Sequence, residues 1–434
     1  MATAAGSLIQ LGAFDGNFLY NSRSTEPKHL HFDKEVHMIQ SRILQVASLM
    51  VTVSFLIEAG MAQTDRYTYS APVRAKDGLK TGTLKDAGLD EQVIATGTGK
   101  IISGGFGNVH SLLIVRDGKL VHEAYFKGED FQRGKGKLGV VQHGQDTLHD
   151  MRSVSKTFVG AAVLAAHSKG KIKSLDDSIF DYLPDHKVLA EGQKKEITIR
   201  HLLTMAAGLD WNEQMSYMDP ANDETRMDAA PDAIAFFLSK PEKQKPGSTF
   251  NYTGGATETL AAIIKNATGK SADTFIADEF FKPLGITSFE WAKRSNGSVI
   301  YPSGLRLRSR DLAKFGMLYL NRGLWDKKQI IRPELIDEAV KVQIVTPFPI
   351  PNGGSVGYGY HIWRPTIPVG PNELMTMTMA EGNGGQMMVL DFERNAVTVM
   401  TAGSYNSRER STDAVYEQVI YPVLKRAQKV GRGN

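Results

Sequence analysis

The sequence predicts an α/β fold of the α+β kind, in which one sheet is built from both ends of the chain around a helical insertion. A hairpin pattern lies at 111–126, and helical patterns then dominate from Ser153 to about Val340. Strand patterns return in three later stretches, at 357–363, 386–391 and 396–401. Strands on both sides of a helical stretch favour a single sheet over two separate domains.

The N-terminal region predicts an exported protein. Arg42 precedes an apolar run at 43–57, and small residues stand before Gln63, so 38–62 reads as a signal peptide that starts at Met38. Residues 1–37 are polar and are predicted to be a disordered extension upstream of the true start. We expect a periplasmic or secreted enzyme without a stable membrane anchor, because the run is short for a membrane span. The alternative is an uncleaved N-terminal helix on a cytoplasmic protein.

The composition describes an ordinary globular protein. The 434 residues can bury one large core or two coupled subdomains, and 41% are hydrophobic while 23% are charged. The net charge of +4 is spread along the chain, so we expect no nucleic-acid partner. The chain has no cysteine, which excludes disulfides and thiolate catalysis.

The pattern at 111–126 is that of a β-hairpin with Asp117 and Gly118 at its turn. Asp-Gly suits a two-residue turn because both central positions take positive φ. We therefore expect two strands of the sheet here.

Ser153 stands three residues before Lys156, where an apolar helix should begin. Residues three apart share a helix face, so Lys156 can take the proton of Ser153 if burial favours the neutral amine. The alternative is a helix-capping serine with a solvated lysine. A second match, Ser168 with Lys171, lies at the polar end of the same helix and is not expected to be catalytic.

Two further segments complete a candidate site. Tyr252 lies between a turn and a helical run, where its hydroxyl can point into a cleft and relay a proton. The glycine turn Gly382-Asn383-Gly384-Gly385 precedes an apolar strand, and a backbone N–H there can pair with that of Ser153 as an oxyanion hole. Taken singly, these features also fit a half-buried tyrosine and an ordinary turn.

Competing motifs are weaker. Gly353-x-Ser355-x-Gly357 matches a nucleophile elbow but lacks a strand before it and a helix after it, so we expect a loop. The glycines at 134–139 match a dinucleotide motif without its strand–helix frame. The histidines His110, His122, His143 and His149 are scattered, so we expect no metal site and no cofactor.

Near the middle of the chain, 211–232 is polar and is expected near the mouth of the cleft, where Trp211 and Tyr217 can line an acyl pocket. The chain closes with an amphipathic helical pattern from Thr412 to about Lys429.

In this order, the three segments around Ser153, Tyr252 and Asn383 resemble the serine β-lactamase and penicillin-binding-protein superfamily. The likeness is greatest to its class C-like branch, with family VIII carboxylesterases and 6-aminohexanoate-dimer hydrolases. It extends over roughly 75–425 and includes four more stretches: 202–211, 303–306, 310–316 and 383–401. The resemblance implies an antiparallel sheet flanked by helices (63–165 and 341–434) beside a helical domain (166–340), with the site between them.

The resemblance also implies roles for these residues. Ser153 is the acylated nucleophile, Lys156 its base and Tyr252 the family's site tyrosine. The oxyanion donors are Ser153 and Gly385. Asn383 and Gly384 lie in the triplet that contacts substrate.

Two departures bear on the substrate. The family's β-lactamases open the triplet with lysine, where this chain has Gly382, and they place asparagine two residues after the tyrosine, where it has Gly254. We therefore predict a serine hydrolase of carboxylic esters or small linear amides. The alternatives are a β-lactamase or DD-peptidase-like activity and a non-catalytic binding protein that keeps the fold. The oligomeric state is not predicted.

Overall fold

The centre of the fold is a ten-stranded sheet. The computed structural model describes residues 67–350, 352–407, 409 and 411–427. In chain order its strands are β1 (Lys80–Thr81), β2 (Val109–Arg116), β3 (Lys119–Tyr125), β4 (Lys127–Gln132), β5 (Gly136–Gln142), β6 (His149–Asp150), β7 (Glu290–Trp291), β8 (Leu305–Leu307), β9 (Leu324–Trp325), β10 (Lys328–Gln329), β11 (Ile344–Val345), β12 (Ser355–Tyr358), β13 (Trp363–Gly370), β14 (Glu373–Thr376), β15 (Met379–Gly382), β16 (Gln386–Asp391) and β17 (Ala396–Ala402).

The large sheet has the order β1-β3-β2-β17-β16-β15-β13-β12-β11, with β14 also paired to β13. Only β1 runs parallel to its neighbour in these described pairings; the others are antiparallel, as predicted. The N-terminal hairpin joins the C-terminal strands through β2 and β17. Three smaller sheets are formed by β4-β5, β9-β10 and β6-β8-β7.

The helices lie between and around these strands. They are α1 (Glu91–Ile102), α2 (Val154–Ser168), α3 (Ile199–Leu203), α4 (Asp223–Ala229), α5 (Ala233–Leu238), α6 (Gly254–Thr268), α7 (Ala272–Ile276), α8 (Ser309–Leu320), α9 (Pro333–Ala339), α10 (Ser411–Val415) and α11 (Tyr421–Arg426). Single π-helical turns follow α7 and join α10 to α11. Among the described residues, no helix is long and apolar enough to cross a bilayer.

Both faces of the sheet are buried. Leu113 in β2 points to the side that holds Phe158 of α2 and Phe315 of α8. Its neighbour Leu112 points to the opposite side, where Ile94 of α1 is buried. Side chains alternate along a strand, so β2 can be buried at every position only because both faces are covered. The described residues fall within one unit, and the division into the two predicted domains stays a prediction.

The predicted hairpin is confirmed. β2 and β3 are antiparallel, and Asp117 and Gly118 both have positive φ, 50° and 74°, as a two-residue turn requires. The strand patterns at 386–391 and 396–401 are confirmed as β16 and β17. The closing helical pattern is confirmed from Ser411 to Arg426, with a π turn that the periodicity does not reveal.

The predicted strand at 357–363 is wrong in its middle. β12 ends at Tyr358, and β13 begins only at Trp363. Gly359 comes so close to the Ala339 carbonyl that an added Cβ would lie 2.1 Å from the oxygen. His361 takes a left-handed backbone, with φ of 54°. This segment leaves the sheet because it contacts the helices instead.

The nucleophile-elbow match and the dinucleotide-motif match both lie in secondary structure that those motifs do not have. Ser355 is exposed and begins β12, so it is followed by a strand rather than by the helix that an elbow requires. The glycines at 134–139 lie in the turn and second strand of the β4–β5 hairpin. The predicted extension 1–37 and signal peptide 38–62 lie outside the described residues.

Candidate active site

Ser153 lies where two cavities meet. The larger is a cleft of ≈ 920 Å³ and the smaller a pocket of ≈ 310 Å³. Tyr217, Asn383 and Asn406 line both, together with Ser153. A substrate held across Ser153 therefore has room on either side of its reacting bond.

The chain presents Ser153 at the first turn of α2. Arg152 has a left-handed backbone, with φ of 49°, which turns the chain from β6 into the helix. Ser153 takes the N-cap position but makes no side-chain capping bond. Its hydroxyl is therefore available for chemistry instead of satisfying the helix end.

Lys156 is buried directly beneath Ser153. Its side chain is 2% exposed, and Nζ lies 3.3 Å from Ser153 Oγ, as the three-residue spacing predicts. The amine also donates to the Pro302 carbonyl at 3.2 Å and lies 3.7 Å from Glu224 Oε2. The alternative of a solvated lysine is therefore wrong.

His361 is hydrogen-bonded to the first turns of α2. Its Nδ1 lies 2.8 Å from the Lys156 carbonyl oxygen, and its own carbonyl accepts the Thr157 hydroxyl at 2.9 Å. These contacts explain why the strand predicted at 357–363 is broken at this residue.

Tyr252 lies beside Lys156 in the cleft. Lys156 Nζ lies 4.9 Å from the centre of the tyrosine ring, and the tyrosine hydroxyl interacts with the Ser153 side chain. Burial, followed by the charge of Glu213, raises the pKa of Tyr252 far above its usual value despite the bond from Ser153. The phenol therefore stays protonated and can act as a proton donor.

The glycine turn lines the larger cleft together with Tyr252. Gly384 and Gly385 have φ of 98° and 92°, values that favour glycine, and both line the larger cleft. Asn383 is anchored to Asn406 by a side-chain bond of 3.1 Å. The Gly385 N–H donates to the Gly382 carbonyl at 3.1 Å, so it must share or leave this bond to serve the oxyanion.

Two buried glutamates that the sequence analysis missed complete the site. Glu213 Oε2 accepts the indole N–H of Trp211 at 2.8 Å and the Gly254 N–H at 2.7 Å, and its Oε1 accepts the Tyr217 hydroxyl at 3.0 Å. The only sequence signal is a pair of glutamates in the polar stretch 211–232, which does not reveal their burial.

The second glutamate, Glu224, lies between two cationic side chains. It accepts the Ser303 hydroxyl at 2.8 Å and pairs with Arg133 at 3.3 Å, while its other oxygen faces Lys156. Arg133 is also paired with Asp228. Glu224 thus links the nucleophile's lysine to the smaller pocket.

The two glutamates differ strongly in their affinity for a proton. Burial, followed by the charge of Glu224, raises the pKa of Glu213 to about 8. Burial also opposes ionisation of Glu224, but the charges of Lys156 and Arg133 outweigh it and lower the pKa of that carboxyl to about 2. The proton therefore resides on Glu213, and the negative charge on Glu224 faces the amine.

The structure explains both departures from the β-lactamase pattern. A Cβ at Gly254 would lie 2.6 Å from Glu224 Oε2. The glutamate therefore occupies the space that the asparagine side chain of the family's β-lactamases would need. A Cβ at Gly382 would lie 2.4 Å from the Met151 carbonyl oxygen, which excludes a lysine on this backbone.

The structure places the four predicted substrate-binding residues differently. Tyr217, Asn383 and Gly384 line the cleft. Trp211 is 3% exposed and is not among the described residues that line either cavity, so the structure does not bring it to the cleft. It lies behind the cleft wall, against Phe237, and holds Glu213.

Outside the cleft, three histidines that look scattered in sequence come together. His110, His143 and His149 form one buried group with Asp130, whereas His122 is not part of it.

Comparison with known proteins identifies the family. Residues 106–420 match the family described as Beta-lactamase. Protein flp of Staphylococcus aureus (strain MRSA252) is 29% identical over 188 residues, which are 43% of this chain. The match spans 36% of the length of that protein.

Two solved structures share the fold. One, described as a candidate 6-aminohexanoate-dimer hydrolase from Bacillus anthracis, has a TM-score of 0.60 at 20% identity and covers 83% of this chain and 88% of its own. A family VIII carboxylesterase has a TM-score of 0.55 at 15% identity and covers 75% and 96%. The resemblance drawn from the motifs is confirmed, and since the family match takes in most of the chain and every residue of the Ser153 site, the chain belongs to the beta-lactamase family.

Proposed function

We propose that the protein is a serine hydrolase that forms an acyl-enzyme on Ser153 and acts on carboxylic esters or small linear amides. The observation that carries the proposal is the buried Lys156 Nζ at 3.3 Å from Ser153 Oγ, with Tyr252 beside both residues in the cleft. A nucleophile within reach of a base, beside a cleft of substrate size, is the arrangement that acyl transfer requires.

In the proposed reaction, Ser153 Oγ attacks the carbonyl carbon of the substrate while its proton passes to Lys156 Nζ. The carbonyl oxygen becomes an oxyanion that is stabilised by the N–H groups of Ser153 and Gly385. Tyr252 then protonates the leaving alcohol or amine and regains a proton from Lys156. Water cleaves the acyl ester by the reverse sequence of transfers and returns the proton to Ser153.

Glu224 supplies the counter-charge for the proton that Lys156 takes up. An ammonium group 3.7 Å from a carboxylate forms a neutral pair. Because the pKa of Glu224 is held low, its carboxylate stays ionised and stabilises the ammonium that forms when Ser153 gives up its proton. Glu213, which holds its own proton, keeps the combined charge of the three groups at zero.

The site favours substrates without a carboxylate near the reacting bond. Gly382 leaves no room for the lysine that would bind such a group. Besides the protonated Glu213, three acidic residues contribute to the described lining of the larger cleft: Glu381, Glu409 and Asp413. An uncharged ester or amide avoids the repulsion that a second carboxylate meets here.

Replacement of the nucleophile tests the proposal. Ser153→Ala should lower hydrolysis of a chromogenic short-chain ester by about three orders of magnitude or more. Ser168→Ala and Ser355→Ala are matched controls, because these serines lie at a helix end and on an exposed strand. A fluorophosphonate probe should label Ser153, as read by peptide mass spectrometry.

Each other outcome selects a different function. Labelling of Ser355 would place the chemistry in another class of hydrolase. A folded protein that neither reacts with the probe nor turns over esters, amides or β-lactams would be a binding protein that keeps the fold.

A further inference from the structure

A second cluster of reactive side chains lies outside the cleft. His110 in β2, Asp130 in β4, His143 just after β5 and His149 in β6 are all buried, and one ligand atom from each lies within 4.8 Å of the others. We call these four residues the histidine–aspartate cluster. They come from the large sheet and two smaller ones, so only the folded chain assembles them.

The proton on His110 is placed by its outer neighbour. Asn108 donates its side-chain amide to the Glu129 carbonyl at 2.7 Å, which turns its oxygen towards His110 Nε2 at 3.1 Å. Nε2 must therefore carry the ring proton, and Nδ1 presents a lone pair to the interior of the cluster.

The proton on His149 is placed in the same way. Its Nδ1 faces the Asp150 carbonyl oxygen at 3.1 Å, so Nδ1 is the donor and Nε2 presents a lone pair. His149 Nε2 and His110 Nδ1 are only 2.8 Å apart. Two lone pairs at this distance repel each other unless a cation lies between them.

The other two members also supply ligands. Asp130 Oδ1 lies 3.7 Å from His149 Nε2. His143 Nε2 is buried and has no hydrogen-bond partner among the described residues, although its ring stacks on His110 with centroids 4.0 Å apart. Three imidazoles and a carboxylate thus converge with unused electron pairs.

We propose that the histidine–aspartate cluster binds a late first-row divalent cation, zinc first among them. Neutral imidazole nitrogens and one carboxylate suit zinc, and outer bonds to Asn108 and Asp150 are the kind that orient histidine ligands. Four protein ligands close a tetrahedral shell, so the site is structural rather than catalytic. Ligand–zinc distances of about 2 Å require the four ligand atoms to move towards one centre. The 2.8 Å contact between His110 Nδ1 and His149 Nε2 must widen at the same time.

Tyr405 connects this site to the nucleophile. Its hydroxyl donates to Asp130 at 3.2 Å, and the Arg152 guanidinium lies 4.7 Å from the centre of its ring. A Cβ at Gly384 would lie 2.5 Å from the same ring. A cation held by Asp130 would therefore steady both the residue before Ser153 and the glycine turn.

Metal content and metal affinity test the site independently of the proposed hydrolase function. The protein is dialysed against a chelator and then titrated with zinc by calorimetry, which gives the affinity and stoichiometry. Elemental mass spectrometry of the zinc-loaded protein gives the metal content per chain. We expect one zinc per chain, a higher melting temperature with zinc, and Co²⁺ absorption bands typical of four-coordination. His122→Ala is the matched control, because His122 is equally buried but outside the cluster.

His143→Ala should weaken zinc binding by about a hundredfold or more, since even outer-shell partners of a ligand are worth 10- to 100-fold. Asp130→Asn, which keeps an acceptor for Tyr405, gives a second measure if His143→Ala folds poorly. Zinc binding that is substoichiometric, or equal in the wild type and both variants, would overturn the proposal and leave a shared proton between His110 and His149.

Discussion

Glu224 Oε2 lies 3.7 Å from Lys156 Nζ, which gives the lysine beneath the nucleophile a buried counter-charge. The spacing of Ser153 and Lys156 predicts their contact but not this partner. The sequence suggests burial as the main influence on the amine, whereas the structure adds a buried carboxylate that pairs with it.

Removal of this counter-charge should destabilise the fold. Glu224→Gln leaves the buried Lys156 and the Arg133 side chain facing a neutral group, and breaking such a pair costs about 3–5 kcal/mol. Urea denaturation of the purified variant measures the free energy of unfolding. Glu334→Gln is the control, because Glu334 is exposed and its pairing with Arg332 should be worth less than about 1 kcal/mol. Equal losses in the two variants would show that Glu224 is not a buried partner.

The raised pKa of Glu213 predicts a pH dependence of stability. Its folded value of about 8 exceeds the ordinary 4.5, so between these values the folded protein holds a proton that the unfolded chain has lost. This stabilisation is complete below about 4.5 and is lost as the pH rises through about 8. Glu213→Gln keeps a neutral group and should flatten the decline in unfolding free energy over that window. A decline as steep as in the wild type would contradict the raised pKa of Glu213.

The sequence predicts the candidate site residues because short motifs mark them. Ser153 and Lys156 share a helix turn, so their spacing predicts their contact, whereas Tyr252 is marked only by its place between a turn and a helix. Glu213 is different, because its role depends on burial beneath Trp211 and on contact with the distant Gly254. Burial that depends on residues distant in sequence leaves no local pattern. The histidine–aspartate cluster could not be predicted for the same reason, because its four members lie on or next to separate strands.

Gly254 should resist conversion to the asparagine of β-lactamases. In Gly254→Asn the new Cβ would lie 2.6 Å from Glu224 Oε2, so overpacking should cost about 1–3 kcal/mol in stability and lower esterase activity. Thermal unfolding and ester kinetics measure both effects. Gly144→Ala is the control, since only the Thr147 hydroxyl, 4.0 Å away, lies near its added Cβ. A stable Gly254→Asn variant with full activity would show that Glu224 moves aside freely.

We propose that the exported protein begins at Gln63, after cleavage of a signal peptide that starts at Met38. The apolar run at 43–57 and the small residues before Gln63 support the proposal. N-terminal mass spectrometry of the protein from a periplasmic or culture-medium fraction of its native host should find this end. An intact terminus on a cytoplasmic protein would contradict export.

Substrate preference should follow the space at Gly382. A charge-assisted bond to a β-lactam carboxylate is worth about 1.5–3 kcal/mol, or roughly ten- to a hundredfold in rate if it acts in the transition state. Gly382 cannot supply it, because an added Cβ would lie 2.4 Å from the Met151 carbonyl oxygen. An uncharged ester loses nothing by this absence, and its leaving group demands less of Tyr252 as a proton donor. A linear amide needs that proton but not the carboxylate contact, so it should rank between ester and β-lactam. Values of kcat/KM for a short acyl ester, a linear amide and nitrocefin, measured on one preparation, decide the order. Nitrocefin turnover as fast as that of the ester would show that another cationic side chain replaces the missing lysine.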